Sequence, residues 1–451
     1  MSATTNVSAP GGIVLHPEAE RIYRERTPRS RELLEKTREL IPTGHAGGMW
    51  YQLPYPTLMT RGKGSRIWDV DENEYHDFRI GDWVLIHGHC NDTIRDAIVA
   101  QLDVAVQFGS PEWDLAYRMA SLLVERMPSF EKVRFAVTGT DVNQIALRLA
   151  RTYTGRQKIA KMSAGYHGVA DHLLIANGIS YDPNPVPAGV LKSAVDEVVV
   201  VPFNDPDGAE EAIEREAKNL AAVLVEPIMG VAGMIPATTE FLQRLRDVTE
   251  RHGIVLIYDE VVTFPVAYGG AQAHYGVLPD LTTLSKSIGG GLPLGAVGGR
   301  AEIMNLLEPK VNDWKAPVVA ASTFGGNQAS LAAGIACLEL LTPEAHEKIQ
   351  SLGKRARDGI DEIGRKHGIP LHSSGFGHLF AIHWAPEPVT DYATLLQDDR
   401  NKVNNITLAL NNEGYYLFSF GAFLLSTAVT EQEIDTFLAA TERALEAVDL
   451  V

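Results

Sequence analysis

Between residues 130 and 300 the chain alternates short apolar runs with amphipathic stretches. The runs at 133–137, 158–162, 198–201, 222–226, 255–259 and 281–285 are apolar along much of their length. Strands buried on both faces of a largely parallel sheet have that pattern. Helical periodicity lies between them. Within 141–154, Val142, Ile145, Ala146, Leu149, Ala150 and Tyr153 make one apolar face, and Gly155 stops the helix. A second helix spans 241–252 and ends at Gly253. Strand and helix alternating in this way predict a doubly wound α/β domain.

The flanks read differently. A helix at 29–40 leads into a Gly/Pro-rich passage, PTGHAGGMWYQLPYP. The stretch SRIWDVDENEYHDF reads as a hairpin turning near Asp71-Glu72-Asn73. After residue 336 a long helix at 343–367 precedes strands at 378–384 and 423–426, and a last helix begins near Glu431. The expected organisation is a flexible tail (1–15), an N-terminal segment shared with a small domain (16–75), a large α/β domain (76–335) and a smaller α+β domain (336–451).

Composition narrows the function. The 451 residues are 45% hydrophobic and 22% charged, ordinary values for a globular chain with a large core. A formal net charge of −17 argues against nucleic acid or anionic membrane as partners. Cys90 and Cys337 have no metal-ligand or redox-pair spacing, which fits a reducing compartment. The first residues have no basic start and no long apolar core, and no apolar run reaches the ~18 residues of a membrane span. A cytoplasmic protein is expected.

Four features point to chemistry. In VTGTDVNQ a strand runs into a helix through Thr138-Gly139-Thr140. Free amides and hydroxyls at a helix start suit an anion, although Thr138 or Thr140 would serve equally as an N-cap. Tyr166, in Tyr166-His167-Gly168, follows a strand and can stack on a flat ligand or simply pack. Asp259 ends an apolar strand and requires a cation or a capping partner. Lys286 follows the next strand, and six glycines come after it by position 299. They read as room for the lysine to move, though a lone lysine is most often a surface residue. Together these groups offer an aromatic, a carboxylate, an amine and a phosphate cradle on one rim of one sheet. That is what pyridoxal phosphate requires.

The passages AVLVEPIMG, LIYDEVVT, GGAQAHYGVLPDLTTLSKSIGGGLPLGAVGGRAEIM and STFGGNQASLAAG carry a resemblance. The sequence resembles the class III pyridoxal-phosphate aminotransferases of fold type I, in the branch of glutamate-1-semialdehyde aminomutases and β-amino-acid aminotransferases. The resemblance implies that Lys286 forms the Schiff base with pyridoxal 5'-phosphate and shuttles the proton, and that Asp259 keeps the pyridine nitrogen protonated. It places Val261 beneath the ring and Tyr166 above it. Thr138, Gly139 and Thr140 fall on the phosphate loop, and Glu226 falls near the ring. Thr323 falls on a threonine that reaches the neighbouring subunit's phosphate. A homodimer with shared sites, or a tetramer of such dimers, is implied.

Several positions depart from the family. Gly47, Gly48, Met49 and Trp50 occupy a loop where relatives with acidic substrates usually carry an arginine. Phe418, Phe420 and Phe423 occupy a stretch where β-amino-acid enzymes often carry another. Phe264-Pro265 replaces Gly-Phe-Arg, and Asp141-Val142 stands for glutamate and alanine. Arginine forks are the usual clamp for a carboxylate. Their loss suggests a bulky, weakly acidic amine, with Met49, Trp50, Tyr51, Trp83 and Phe420 as pocket residues; the aromatics would otherwise be core. The partners expected are an amine donor and a carbonyl acceptor. Alternatives from the same cofactor residues are a 2,1-aminomutase, a decarboxylase or an epimerase; a cofactor-binding sensor is the non-enzymatic one.

Overall fold

The computed structural model describes residues 12–47, 52–108, 114–178, 186–309 and 316–451. Its centre is a seven-stranded sheet. In spatial order the strands are Lys132–Ala136, Gly295–Gly299, Leu281–Leu284, Val255–Asp259, Leu220–Val225, Lys158–Met162 and Val198–Val201. Gly295–Gly299 runs antiparallel to both neighbours, and the other pairings are parallel. Every residue of Leu220–Val225, Val255–Asp259 and Leu281–Leu284 is buried, as the continuous apolar runs require. Gly295–Gly299 gives no such signal, because its sequence is GAVGG. It is glycine-rich because neighbours close on it: a Cβ on Gly298 would overlap the Phe130 ring, and one on Gly295 would meet the Thr138 carbonyl at 2.9 Å.

The helix Gly139–Thr154 starts at a capping box. Thr138 Oγ1 accepts from the Asp141 amide, and Asp141 returns a bond to the Thr138 amide. It ends at Gly155 with φ 69°. Tyr153, placed on the apolar face by periodicity, is 41% exposed and bonds Glu302 at 3.0 Å. It lies in the last turn, beyond the sheet that the rest of the face covers.

The hairpin pairs Arg66–Asp69 with Glu74–Asp77, in register Ile67 to Tyr75. Tyr415–Tyr416 adds to it in parallel, so the two ends of the chain share one sheet. The helix Pro17–Arg26, which the sequence reading missed, packs on Arg400–Asn412. A three-stranded sheet, Leu371–Phe376, Leu379–Trp384 and Ala422–Leu424, forms the rest of this region. Among the described residues no helix is long and apolar enough to cross a membrane.

Candidate active site

The carboxyl ends of the parallel strands open into a cavity of about 470 Å³. Asp259, the last residue of its strand, lies buried in the wall. Its Oδ2 accepts from Asn143 Nδ2 at 2.7 Å and from His167 Nδ1 at 2.8 Å, and Oδ1 accepts from the Val261 amide at 3.1 Å. Asn143 Nδ2 also donates to the His167 carbonyl, and Thr283 donates to its Oδ1. Burial holds His167 below the ordinary imidazole range, against the pull of Asp259. The neutral ring donates through Nδ1, which leaves Nε2 a buried acceptor without a partner among the described residues.

Glu226 stands close by. The amides of Tyr166 and Gly230 each donate to one of its oxygens, at 2.7 and 3.1 Å. Burial, reinforced by the charge of Asp259, pushes its pKa well above the ordinary carboxylate range, so it retains its proton. Lys286 follows Leu281–Leu284 with φ 53°. Its Nζ makes no protein hydrogen bond among the described residues and lies 5.4 Å from the centre of the Trp83 ring. Burial lowers its basicity, opposed by Asp259, Glu226 and Asp82.

The glycines after Lys286 do not clear space for it. A Cβ on Gly290 would overlap the Ala333 carbonyl, one on Gly289 would meet Leu294, and one on Gly299 would overlap the Asp280 carbonyl. They admit close approach of other chain segments, and among the six only Gly291 lines the cavity.

Gly139 and Thr140 also line the cavity, and their amides, at a helix start, find no partner among the described residues. A Cβ on Gly139 would meet both Val261 methyls at 3.2 Å, and one on Gly168 (φ 111°) would overlap Thr140. The wall is therefore stripped of side-chain bulk beside its donors. A carboxylate, free amides at a helix start, an aromatic and an aliphatic side chain (Tyr166 and Val261) and an unpaired amine line one cavity, a donor set that fits a flat phosphorylated pyridine. No group of three His, Cys, Asp or Glu able to hold a metal occurs among the described residues.

Thr138, Gly139, Thr140, Tyr166, Glu226, Asp259, Val261, Lys286 and Trp83 all line this cavity. Thr323 does not; it is exposed on a loop, where its carbonyl accepts from Gln107. Phe420 does not either. It is buried against Phe418, which in turn stacks on Trp83 at 4.4 Å, and Phe423 stacks on Phe380. These three phenylalanines are core and do not line the pocket. Met49, Trp50 and Tyr51 lie outside the described residues. Sequence reading left Asn143 and His167 unassigned and missed Lys161, whose Nζ is buried in its strand and donates to the Gly165 and Ile175 carbonyls at 2.9 and 2.5 Å. A polar residue beside the apolar face of a helix, and a lysine inside the run KIAKM, were the signals available.

Comparison with known proteins gives consistent matches. Residues 50–445 match the family described as Aminotransferase class-III. A glutamate-1-semialdehyde 2,1-aminomutase of Bacillus subtilis is 39% identical over 393 residues, covering 86% of this chain and 90% of that protein. An omega-transaminase from Sphaerobacter thermophilus superposes with a TM-score of 0.90 at 37% identity, covering 95% of this chain and 99% of the other. A β-phenylalanine aminotransferase from Variovorax paradoxus does so with a TM-score of 0.88 at 32% identity, covering 95% and 96%.

Proposed function

We propose, on the premise that this chain belongs to the class-III aminotransferases and is a pyridoxal-phosphate-dependent enzyme, that it moves an amino group from a bulky, weakly acidic primary amine to a keto acid or aldehyde. One observation carries the substrate side. Among the described residues lining the cavity Lys286 is the one cation, while Asp82, Glu226 and Asp259 are acids and Trp83, Val84, Val231, Val262, Leu292 and Leu294 give apolar walls. No arginine fork among the described residues lines it to hold a substrate carboxylate.

When bound, pyridoxal phosphate supplies an electrophilic carbon and an electron sink that acidifies the C–H beside the substrate nitrogen. The chain's residues do the rest. Lys286 Nζ, its basicity lowered by burial, takes the proton from the amine-bearing carbon and delivers it again from the same face. Asp259, fixed by Asn143, His167 and the Val261 amide, presents an acceptor to the ring nitrogen. Thr138 and the Gly139 and Thr140 amides hold the phosphate at the helix start. Tyr166 and Val261 would pack against the bound ring, and Glu226, holding its proton, would add no negative charge beside it. Trp83 closes the substrate side, with its ring over Lys286.

The working unit is a homodimer. Val104, Val106 and Phe108 are 70%, 57% and 54% exposed, and Val319 and Phe324 are 70% and 60% exposed. The two segments adjoin, since Asn327 donates to the Val106 carbonyl and Gln107 donates to that of Thr323. An apolar patch of this kind is ordinarily covered. A second copy seated there brings its Thr323 to the phosphate of this one.

A second reading, a 2,1-aminomutase, is favoured by the Bacillus subtilis relative. It requires a grip on a substrate carboxylate while amine and carbonyl exchange ends, and the cavity lining lacks one. The experiment is a donor screen on the holoenzyme, following the absorbance of bound cofactor. 1-Phenylethylamine should bleach it and a carbonyl acceptor should restore it. A clear preference for an ordinary α-amino acid, or turnover of glutamate 1-semialdehyde without a second substrate, would overturn this reading.

A further inference from the structure

Residues 80–83 form a left-handed turn at the mouth of the cavity. Ile80, Gly81, Asp82 and Trp83 have φ of 45°, 63°, 59° and 71°. Three consecutive-turn residues with side chains in this region are strained, and such strain persists only where the surroundings enforce it. Here they do. Asp77 Oδ1 accepts from the amides of Arg79 and Ile80, Ser287 donates to the Trp83 carbonyl, and Ile80 is buried in the core.

The turn delivers two side chains to the cavity, Trp83 and Asp82. Asp82 is also the partition to a second chamber of about 400 Å³, lined by Arg79, Thr60, His89 and Tyr416. Arg79 lies on that far side. Its Nε and Nη2 both donate to Asp82 Oδ1, at 3.2 and 2.7 Å, and its Nη1 donates to the Tyr416 hydroxyl. Its guanidinium stacks over the Tyr416 and Phe418 rings, 4.9 and 4.4 Å from their centres. Arg79 is thus fully engaged in fixing the carboxylate. The Asp82 side chain is 44% exposed, and its Oδ2 has no protein partner among the described residues. Arg79 lines the neighbouring chamber, and the group of this pair that lines the cavity is the acid.

We propose that Asp82 sets the charge selectivity of the cavity, excluding amines that carry a carboxylate near the reacting carbon and admitting those without one, with Arg79 as its positioning residue. This rests on the reading of the site as a transaminase for weakly acidic amines and names the residue responsible. The physical cause is twofold: the free Oδ2 of Asp82 repels an incoming carboxylate, and Oδ1 occupies the Arg79 guanidinium that would otherwise attract it; in a partly desolvated space such a charge arrangement shifts affinity by roughly tenfold or more.

The test compares two donors of similar shape, 1-phenylpropylamine and 3-amino-3-phenylpropanoate, with wild-type holoenzyme and Asp82→Asn. Asparagine suits the positive φ and keeps the size. The ratio of kcat/KM for the carboxylate-free donor to that for the carboxylate-bearing one is independent of the folded fraction. It should fall about tenfold or more in Asp82→Asn. Calorimetric binding of unreactive 3-phenylpropionate should tighten by a similar factor. A ratio within about twofold of wild type, or unchanged binding of 3-phenylpropionate, overturns the proposal. If wild type itself prefers the carboxylate-bearing donor, the transaminase reading for weakly acidic amines fails, while the change between wild type and variant still reports on Asp82.

Discussion

Replacing Lys161 by methionine should alter both stability and its dependence on pH. Lys161 Nζ is wholly enclosed, and burial pushes its basicity down to about 7. A neutral amine has two N–H donors, and the two carbonyls of Gly165 and Ile175 take both. Those bonds tie down the loop that presents Tyr166 and His167 to the cavity. Methionine keeps the volume but leaves two buried carbonyls without donors, at roughly 1–3 kcal/mol each. The sign of the pH effect follows from linkage. The unfolded chain holds the lysine proton up to about 10.5 and the native state releases it near 7, so between those values the unfolded state binds more protons. Wild-type stability therefore gains about 1.4 kcal/mol per pH unit from this group as pH rises, and loses it as pH falls through 7. Lys161→Met lacks that slope. Urea unfolding of both holoproteins at pH 8.0 and 9.5 should show the wild-type advantage growing by about 2 kcal/mol. A difference that stays constant with pH, or shrinks as pH rises, would refute the assignment of a neutral, two-donor lysine.

Three further outcomes follow from the same geometry. Glu226→Gln should flatten the part of the stability profile above the ordinary carboxylate range, because a carboxyl whose folded-state pKa is raised loses stability as pH rises; paired thermal melts at pH 5 and 8 read it. Gly168→Ala should weaken cofactor retention and local stability, since its Cβ overlaps Thr140 at a φ of 111° that alanine disfavours; dialysis of the holoenzyme measures the loss. Phe324→Glu should shift the protein to monomer in light scattering and reduce cofactor occupancy, because a charge would enter the exposed apolar patch.

The parallel core was legible because its strands are buried on both faces, so their apolar runs are continuous; Lys158–Met162, Val198–Val201 and Val255–Asp259 fall where the pattern puts them. Gly295–Gly299 was not legible, because its burial rests on absent side chains. The same cause misled the reading of the glycines near Lys286. Glycine marks close approach without saying what approaches, and here it is other chain segments such as the Ala333 carbonyl. The residues at strand ends were legible as a group since α/β sheets gather ligands there. Asn143, which braces Asp259 across 116 positions of sequence, could not be paired with it before the fold was known. Asp82 escaped for another reason. Nothing in IGDW announces a left-handed turn with only one glycine, and the conformation comes from Asp77 and Ser287 gripping its two ends.

The most direct test of the account follows the absorbance of bound cofactor in wild type and Lys286→Ala during addition of 1-phenylethylamine and then a carbonyl acceptor. Wild type should bleach and recover repeatedly, and the variant, without a base at that position, should be slower by about 10²–10⁴-fold. A variant that cycles at the wild-type rate would contradict the assignment of Lys286 as the group that moves the proton.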